Sequence, residues 1–384
     1  MKIKIWDIPT RLFHWLLVAA FGVAYFTSGT ERLLWYHSMA GYTALGLVLF
    51  RVFWGFEGNR YARFKNFVKG WSEVRSFVLN DLRLKPPRSL GHNPAVGWMV
   101  LLMLCLTLAI TLTGIVTFAG EEGKGLLAGA VSFDTGVASG AVHAYLALFA
   151  VAVIAVHVAA ALFHDFVLRE NLVLTMITGM REDDGTWAER VSHLGPEQGR
   201  SKVRLAAWLV LVFISAIGVV YLPKVVVPSW PAHERAGVVD KSGSVVTVPV
   251  NEAWETECSA CHGLFHPTLL PAVSWRRVMA GLDEHFGDDA SVDEQTASEI
   301  EGYLVSYSAD RSTSEASRKI LASIEGKDAP LRITETGYWV YKHSDIPDRV
   351  WKRASVSSRS NCAACHPKAE DGSFDDYDIR VPER

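Results

Sequence analysis

The stretch from Ala141 to Leu168 reads AVHAYLALFAVAVIAVHVAAALFHDFVL. It is apolar for longer than the roughly 20 residues a helix needs to cross a bilayer core of about 30 Å. Two histidines interrupt it, His143 and His157. At about 100° and 1.5 Å per residue, they fall within roughly 40° of one helix face and about 21 Å apart along the axis. An ionisable side chain at membrane depth is costly, so each calls for a partner or a role. A lone histidine there is read as a helix–helix hydrogen bond. Two on one face, at different depths, ask for two partners elsewhere at matching depths.

Four more stretches have spanning length and apolarity: Leu12–Phe26, Leu33–Trp54, Ala95–Phe118 and Leu205–Leu222. The composition agrees, with 49% hydrophobic residues and 13 Trp in 384 residues, many near the ends of apolar runs where amphipathic rings sit at an interface. Lys2, Lys4 and Arg11 before the first stretch imitate a signal peptide. His14 and Trp15 inside it, and no convincing small-residue cleavage site after it, make it a retained helix. The net charge of −3 is uninformative, but its distribution is not. Eight Lys and Arg lie between Arg60 and Arg88, and six between Arg169 and Arg204, whereas the other two loops hold only Arg32 and Lys124. The positive-inside rule therefore puts the N-terminus in the cytoplasm and everything after about Pro223 in the periplasm.

That topology fixes depths. His14 begins an outgoing span on the cytoplasmic side, and His37 begins an incoming span on the periplasmic side. His143 is periplasmic and His157 deeper, so depth pairs His14 with His157 and His37 with His143. Each pair can supply two neutral imidazoles to one iron, and bis-His ligation leaves no open position, which suits electron transfer. Arg11 and Arg51, near the cytoplasmic ends of their spans, either meet haem propionates or snorkel to lipid headgroups. His164, beside Asp165, reads as an interfacial or proton-handling group near a quinone site. Cys105 reads as a small apolar filler.

The other four cysteines stand in Cys258-Ser-Ala-Cys261-His262 and Cys362-Ala-Ala-Cys365-His366. A disulfide framework is the alternative for paired cysteines in an exported domain. A two-residue gap followed directly by His, twice, is instead the attachment signature of c-type haem. The cysteines form thioethers to the porphyrin vinyl groups, and His262 and His366 are the proximal ligands. Haem c is attached outside the cytoplasm in bacteria, which agrees with the charge argument. Distal ligands come from His233, His266, His285, His343 or Met279. The stretch Asp293–Ser308 has helical spacing through Ile300, Leu304 and Tyr307.

Trp6-Asp-Ile-Pro-Thr-Arg-Leu-Phe-His14-Trp15, with Arg51-Val-Phe-Trp-Gly55 and Arg169-Glu-Asn-Leu172 through Met176-Ile-Thr-Gly179, resembles bacterial di-haem cytochromes b of the cytochrome b-561 and nickel-iron hydrogenase b-subunit type. The likeness covers residues 1–182. It implies a four-helix core that holds two b haems on His14, His37, His143 and His157 and exchanges electrons with membrane quinone. Leu270-Pro271, Ser274-Trp275, Leu282 with His285-Phe286-Gly287, Ile333-Thr334-Glu335, Lys342-His343 and the last CxxCH resemble the soluble di-haem cytochrome c family abbreviated DHC. That family is bis-His at both haems, which implies His285 and His343 as distal ligands, with His266 structural and Met279 in the core. Sequence proximity favours His285 with His262 and His343 with His366. The resemblance also implies a small oxygen-binding cytochrome c as acceptor.

The expected protein is thus all-α. A four-helix transmembrane di-haem b bundle spans 1–182. A cytoplasmic linker, a fifth transmembrane helix and a periplasmic tether fill 183–249. A small, loop-rich helical di-haem c domain occupies 250–384 in the periplasm. The chain sits in the lipid bilayer of a bacterial inner membrane and carries two haem b and two haem c. It is expected to pass electrons from membrane quinol to a soluble periplasmic cytochrome or other redox protein. A homodimer is compatible with this reading, and nucleic acid is no partner. The alternatives are reverse flow from a periplasmic donor to quinone, and a haem-based gas sensor, for which no kinase or DNA-binding output segment is visible.

Overall fold

The computed structural model describes residues 2–29, 33–84, 91–182, 237–239 and 243–383. The expected fifth span, Leu205–Leu222, and the candidate ligand His233 lie outside the described residues. The rest is mostly helical and falls into two compact units. Among the described residues, one holds the N-terminal residues through Phe118 and the chain from Ala138 to Glu182; the other holds Ala119–Val137 and the C-terminal domain from Gly237.

In the first unit, strand β1 (Lys2–Lys4) leads into helix α1 (Ile8–Phe26). Asp7 caps α1 by accepting from the Thr10 backbone N–H at 3.0 Å, and Pro9 sits in the first turn, where no backbone donor is needed. The helix therefore starts four residues before the apolar run at Leu12, because the cap rather than hydropathy sets its boundary. Asp7 also accepts from Trp54 Nε1 at 3.1 Å. Trp54 is fully buried near the end of α2 (Leu34–Glu57). Asp7→Ala removes both bonds at once. It should cost about 2–3 kcal/mol, read as a lowered thermal midpoint in detergent, with Asp7→Asn retaining most of the cap.

Two short helices follow, α3 (Phe64–Phe67) and α4 (Trp71–Leu82). Then come α5 (Pro94–Glu122) and α6 (Phe133–Phe166). Helix α6 starts eight residues before the expected Ala141. Ser132 holds its first turn, accepting from the Thr135 N–H on its hydroxyl and from the Gly136 N–H on its carbonyl. At 34 residues, α6 rises about 51 Å, more than the bilayer core requires. Helix α7 (Leu172–Thr178) ends on Gly179, whose φ of 80° is the left-handed value glycine tolerates. Strand β2 (Met180–Glu182) then pairs antiparallel with β1, Ile3 opposite Arg181.

Helices α1, α2, α5 and α6 are each long and apolar enough to cross a membrane. Phe13, Leu47, Phe50, Trp54 and Leu104 form one core, and Leu106, Ala150 and Val153 a second. Opposite faces leave Val23, Phe26, Tyr145, Leu148 and Phe149 exposed, an apolar surface that water does not suit and lipid does.

In the second unit, β3 (Gly237–Val239) pairs antiparallel with β4 (Val245–Thr247). Six helices follow: α8 (Glu252–Ser259), α9 (Ala272–Met279), α10 (Glu294–Ser306), α11 (Glu315–Ile324), α12 (Gly337–His343) and α13 (Asp348–Trp351). Side chains cap four of them: Asn251, Asp293, Ser314 and Thr336. The helical spacing at Asp293–Ser308 is α10, with Asp293 as its cap. Trp254, Leu270, Trp275, Ile300, Leu304 and Ile320 close one core. Lys319, almost fully buried, bridges Glu122 at 2.8 Å and Glu315 at 2.7 Å.

Candidate functional site

Two imidazoles on one iron set a distance. With a metal–nitrogen bond of about 2.0 Å and the ring centre about 1.1 Å further on, the two centres stand about 6.2 Å apart. The rings of His37 and His143 face each other at 5.9 Å. Both have their Nδ1 beside a backbone carbonyl, Ala24 at 2.8 Å for His37 and Ile110 at 2.9 Å for His143. A carbonyl only accepts, so each Nδ1 carries the proton and each Nε2 presents a lone pair. Gly114 makes room for the His143 ring, since a Cβ there would lie 3.0 Å from its Cε1.

His14 and His157 are half-buried and within electrostatic reach of each other. His14 Nδ1 is buried without a protein partner. Arg51 is 2% exposed, so it points inward and does not snorkel. Its Nη2 donates to the Ala62 carbonyl at 3.1 Å, and its guanidinium faces the rings of Phe64 and Phe67. Arg11 donates to the Ile177 carbonyl at the end of α7. His92, which the sequence reading passed over, sits here too, between the rings of Trp6 at 4.6 Å and Phe67 at 4.4 Å. Burial, with Arg51 and His157 adding, pushes its imidazole down to about 3. Its signal was a histidine directly before the Asn93 cap that starts α5, on a segment rich in Lys and Arg.

In the C-terminal domain, Cys258 lies in the last turn of α8, with Cys261 and His262 just after it. His262 Nδ1 donates to the Gly263 carbonyl at 2.8 Å, which frees Nε2. The ring of His285 stands 6.2 Å away and nearly parallel, at 21°. His285 ends a short 3-10 turn, and Phe286 with φ 56° and Gly287 with φ 107° swing the chain away after it. Arg332 covers Phe286 at 4.1 Å.

The second motif is one turn, in which the N–H of Cys365 and that of His366 both donate to the Cys362 carbonyl, at 3.2 and 2.8 Å. The rings of His366 and His343 are 6.3 Å apart. His343 Nδ1 donates to the Trp339 carbonyl at 2.8 Å, and its ring stacks on Trp339 at 4.3 Å. Burial, with His343 and Lys342 adding, pushes the His366 imidazole down to about 4, so it is neutral at pH 7 and able to ligate. Burial also lowers His343 and His285. None of the four cysteines is disulfide-bonded. Burial, with Glu257 adding, pushes the Cys258 thiol up to about 11.

His164 is buried between two carboxylates, Glu170 at 3.3 Å on Nδ1 and Asp81 at 3.4 Å on Nε2, and Arg181 also reaches Glu170. Both ring nitrogens are engaged, so it offers none to iron. Asp165 is tied up accepting from the N–H groups of Leu172 and Val173. His164→Leu would leave Asp81 without this partner and Glu170 with Arg181 alone, and should cost about 1–3 kcal/mol, seen as early unfolding in detergent with all haem bands intact at low temperature. His266 is buried and accepts from Thr268 on Nδ1, a local cap. Met279 packs against the domain core.

Facing histidines in a membrane bundle, ahead of a domain with two CxxCH turns, define a haem-binding electron-transfer protein. Residues 5–179 match the family described as prokaryotic cytochrome b561, and residues 254–374 that described as dihaem cytochrome c. Among curated relatives is the "Probable Ni/Fe-hydrogenase 1 B-type cytochrome subunit" of Escherichia coli (strain K12). It is 26% identical over 212 residues, which cover 46% of this chain and 89% of that one. The corresponding subunit of Azotobacter vinelandii is 29% identical over 215 residues, 47% of this chain and 88% of that one. The diheme cytochrome c from Rhodobacter sphaeroides is a solved structure 44% identical, covering 34% of this chain and 100% of that one, with a TM-score of 0.30. That from Shewanella baltica OS155 is 36% identical over 35% and 96%, with a TM-score of 0.29. The first part of the chain thus matches the cytochrome b561 family and the last the dihaem cytochrome c family, and the two families imply haem b and haem c.

Proposed function

We propose that the chain conducts electrons from membrane quinol, through its helical bundle and its C-terminal domain, to a soluble periplasmic redox protein. The observation that carries this reading is the set of three facing histidine pairs at 5.9, 6.2 and 6.3 Å, each near the bis-imidazole spacing. His14 with His157 and His37 with His143 would hold two b haems. His262 with His285 and His366 with His343 would hold two c haems, bonded through Cys258, Cys261, Cys362 and Cys365. Arg51 and Arg11 would face propionates. Bound haem supplies one-electron chemistry; the protein supplies axial ligands, orientation and exclusion of water. At His37, His143, His262 and His343, Nδ1 bonds to carbonyls hold the rings with Nε2 forward, and full ligation would close the iron to oxygen.

In this reading the N-terminus is cytoplasmic, the host membrane is the bacterial inner membrane, and residues 250–384 lie in the periplasm beyond a fifth span. The bundle is 1–182, and 183–249 form the linker, span and tether. Mixing the purified protein with a quinol analogue tests the direction. The b and c absorption bands should both appear within the mixing experiment. Reduction of both by dithionite but of neither by quinol would sink the quinol claim. The relatives' naming as hydrogenase B-type subunits favours one second reading, flow from a periplasmic donor into quinone. Midpoint potentials of the bound haems above the quinone couple support the first direction, and potentials below it the second.

A further inference from the structure

We propose that His92 and Arg51 form the anion-holding wall of the His14–His157 site, and that they receive one propionate carboxylate of the haem bound there. This rests on reading that site as a b-haem site. The first observation is a cluster of unanswered polar atoms. Nine buried side-chain atoms lack a hydrogen-bond partner among the described residues, and five belong to this corner: Thr10 Oγ1, Arg11 Nε, His14 Nδ1, Arg51 Nη1 and His92 Nδ1. Thr10, Arg11 and His14 follow one another along α1, and His92 lies within electrostatic reach of both Arg51 and His157. A buried donor left without an acceptor costs about 1–3 kcal/mol, and more when it is charged.

The carboxylate of Asp7 acts on Arg51 only through space, since its oxygens bond the Thr10 N–H and Trp54 Nε1 and not the guanidinium. Arg51 is nevertheless fixed in place, with Nη2 on the Ala62 carbonyl and its plane against Phe64 and Phe67. His92 is fixed as well, clamped between Trp6 and Phe67. Phe67 therefore packs against both side chains, which lie within electrostatic reach of each other. Two preset nitrogens, one permanently cationic, match the two oxygens of one carboxylate. A neutral carbonyl would leave the buried guanidinium with only the more distant charge of Asp7 to offset it. The arriving carboxylate offsets the charge of Arg51 and lets His92 carry a proton on Nδ1 as a second donor. A haem held by His14 and His157 brings such a carboxylate with it, tethered to the same site.

The test uses the full-length, haem-loaded protein with His92→Phe, His92→Gln and Arg51→Lys. Two quantities are read: midpoint potentials from redox titration at the b and c bands, and reduced-minus-oxidised infrared difference spectra with the haem propionates carrying carbon-13. Loss of a positive donor beside a propionate disfavours ferrous iron. One b midpoint should therefore fall in His92→Phe, recover partly in His92→Gln, and leave the other b midpoint and both c midpoints in place. A carboxylate band sensitive to carbon-13 should shift in the same variants. Unchanged midpoints and bands in all three variants would overturn the assignment. So would a shifted carboxylate band insensitive to the label, which would place a free or protein carboxylate in the pocket. Should His92→Phe bind no haem b, the two conservative variants decide by the same readouts. Wild-type protein without haem b would instead remove the b-haem reading itself.

Discussion

His143→Leu is expected to leave the protein with one haem b instead of two and to stop quinol from reducing its C-terminal domain. His143 is the residue on which geometry converges most. Its Nδ1 is committed to the Ile110 carbonyl, its ring fits over Gly114, and His37 faces it at 5.9 Å. Leucine keeps the apolar volume and the helix, so α6 survives the change. What disappears is one Nε2 lone pair. The effect on electron flow should exceed the roughly 10–100-fold loss that follows removal of a mere outer-shell partner. His37→Leu should give the same phenotype, and the double variant no more, because two ligands of one iron fail as a unit. Pyridine haemochrome spectra count the haems, and stopped-flow absorbance follows the c band after quinol addition. Retention of both b haems in His143→Leu would show that His143 is not a ligand.

His343→Met should raise the midpoint potential of one c haem and leave the other unchanged. His343 stands at the end of α12, 6.3 Å from His366 and 4.3 Å from the Trp339 ring that stacks on it. A thioether favours ferrous iron where imidazole does not. The shift should be on the order of 0.1 V, a fraction of the roughly 0.8 V that axial ligands span. Trp339 and Trp351 both lie against the His343 ring, apolar neighbours that suit a flexible methionine. His285→Met should move the partner site alone. If either substitution moved both c potentials equally, the assignment of one distal histidine to each motif would fail.

Much of this was legible in the sequence because it is local or periodic. The two CxxCH turns need only five residues each. The 14-residue separation of His143 and His157 on one face follows from helical repeat, and charge counting was the basis for the depths expected of His14 and His37. Helix boundaries were less legible, because Asp7 and Ser132 act as caps inside stretches whose hydropathy says little. His92 was missed since nothing periodic marks it. Its neighbours are Trp6, Arg51 and Phe67, brought together only by folding. The partners of His164 were not legible for the same reason, as Asp81 and Glu170 come from α4 and from the turn after α6.

One count tests the central claim most directly. A pyridine haemochrome assay on the purified full-length chain should give two haem b and two haem c per polypeptide, with the c haems alone surviving acid–acetone extraction. Two haem c and no haem b would contradict the bundle's four histidines as ligands, and with them the proposed route from quinol to the periplasm.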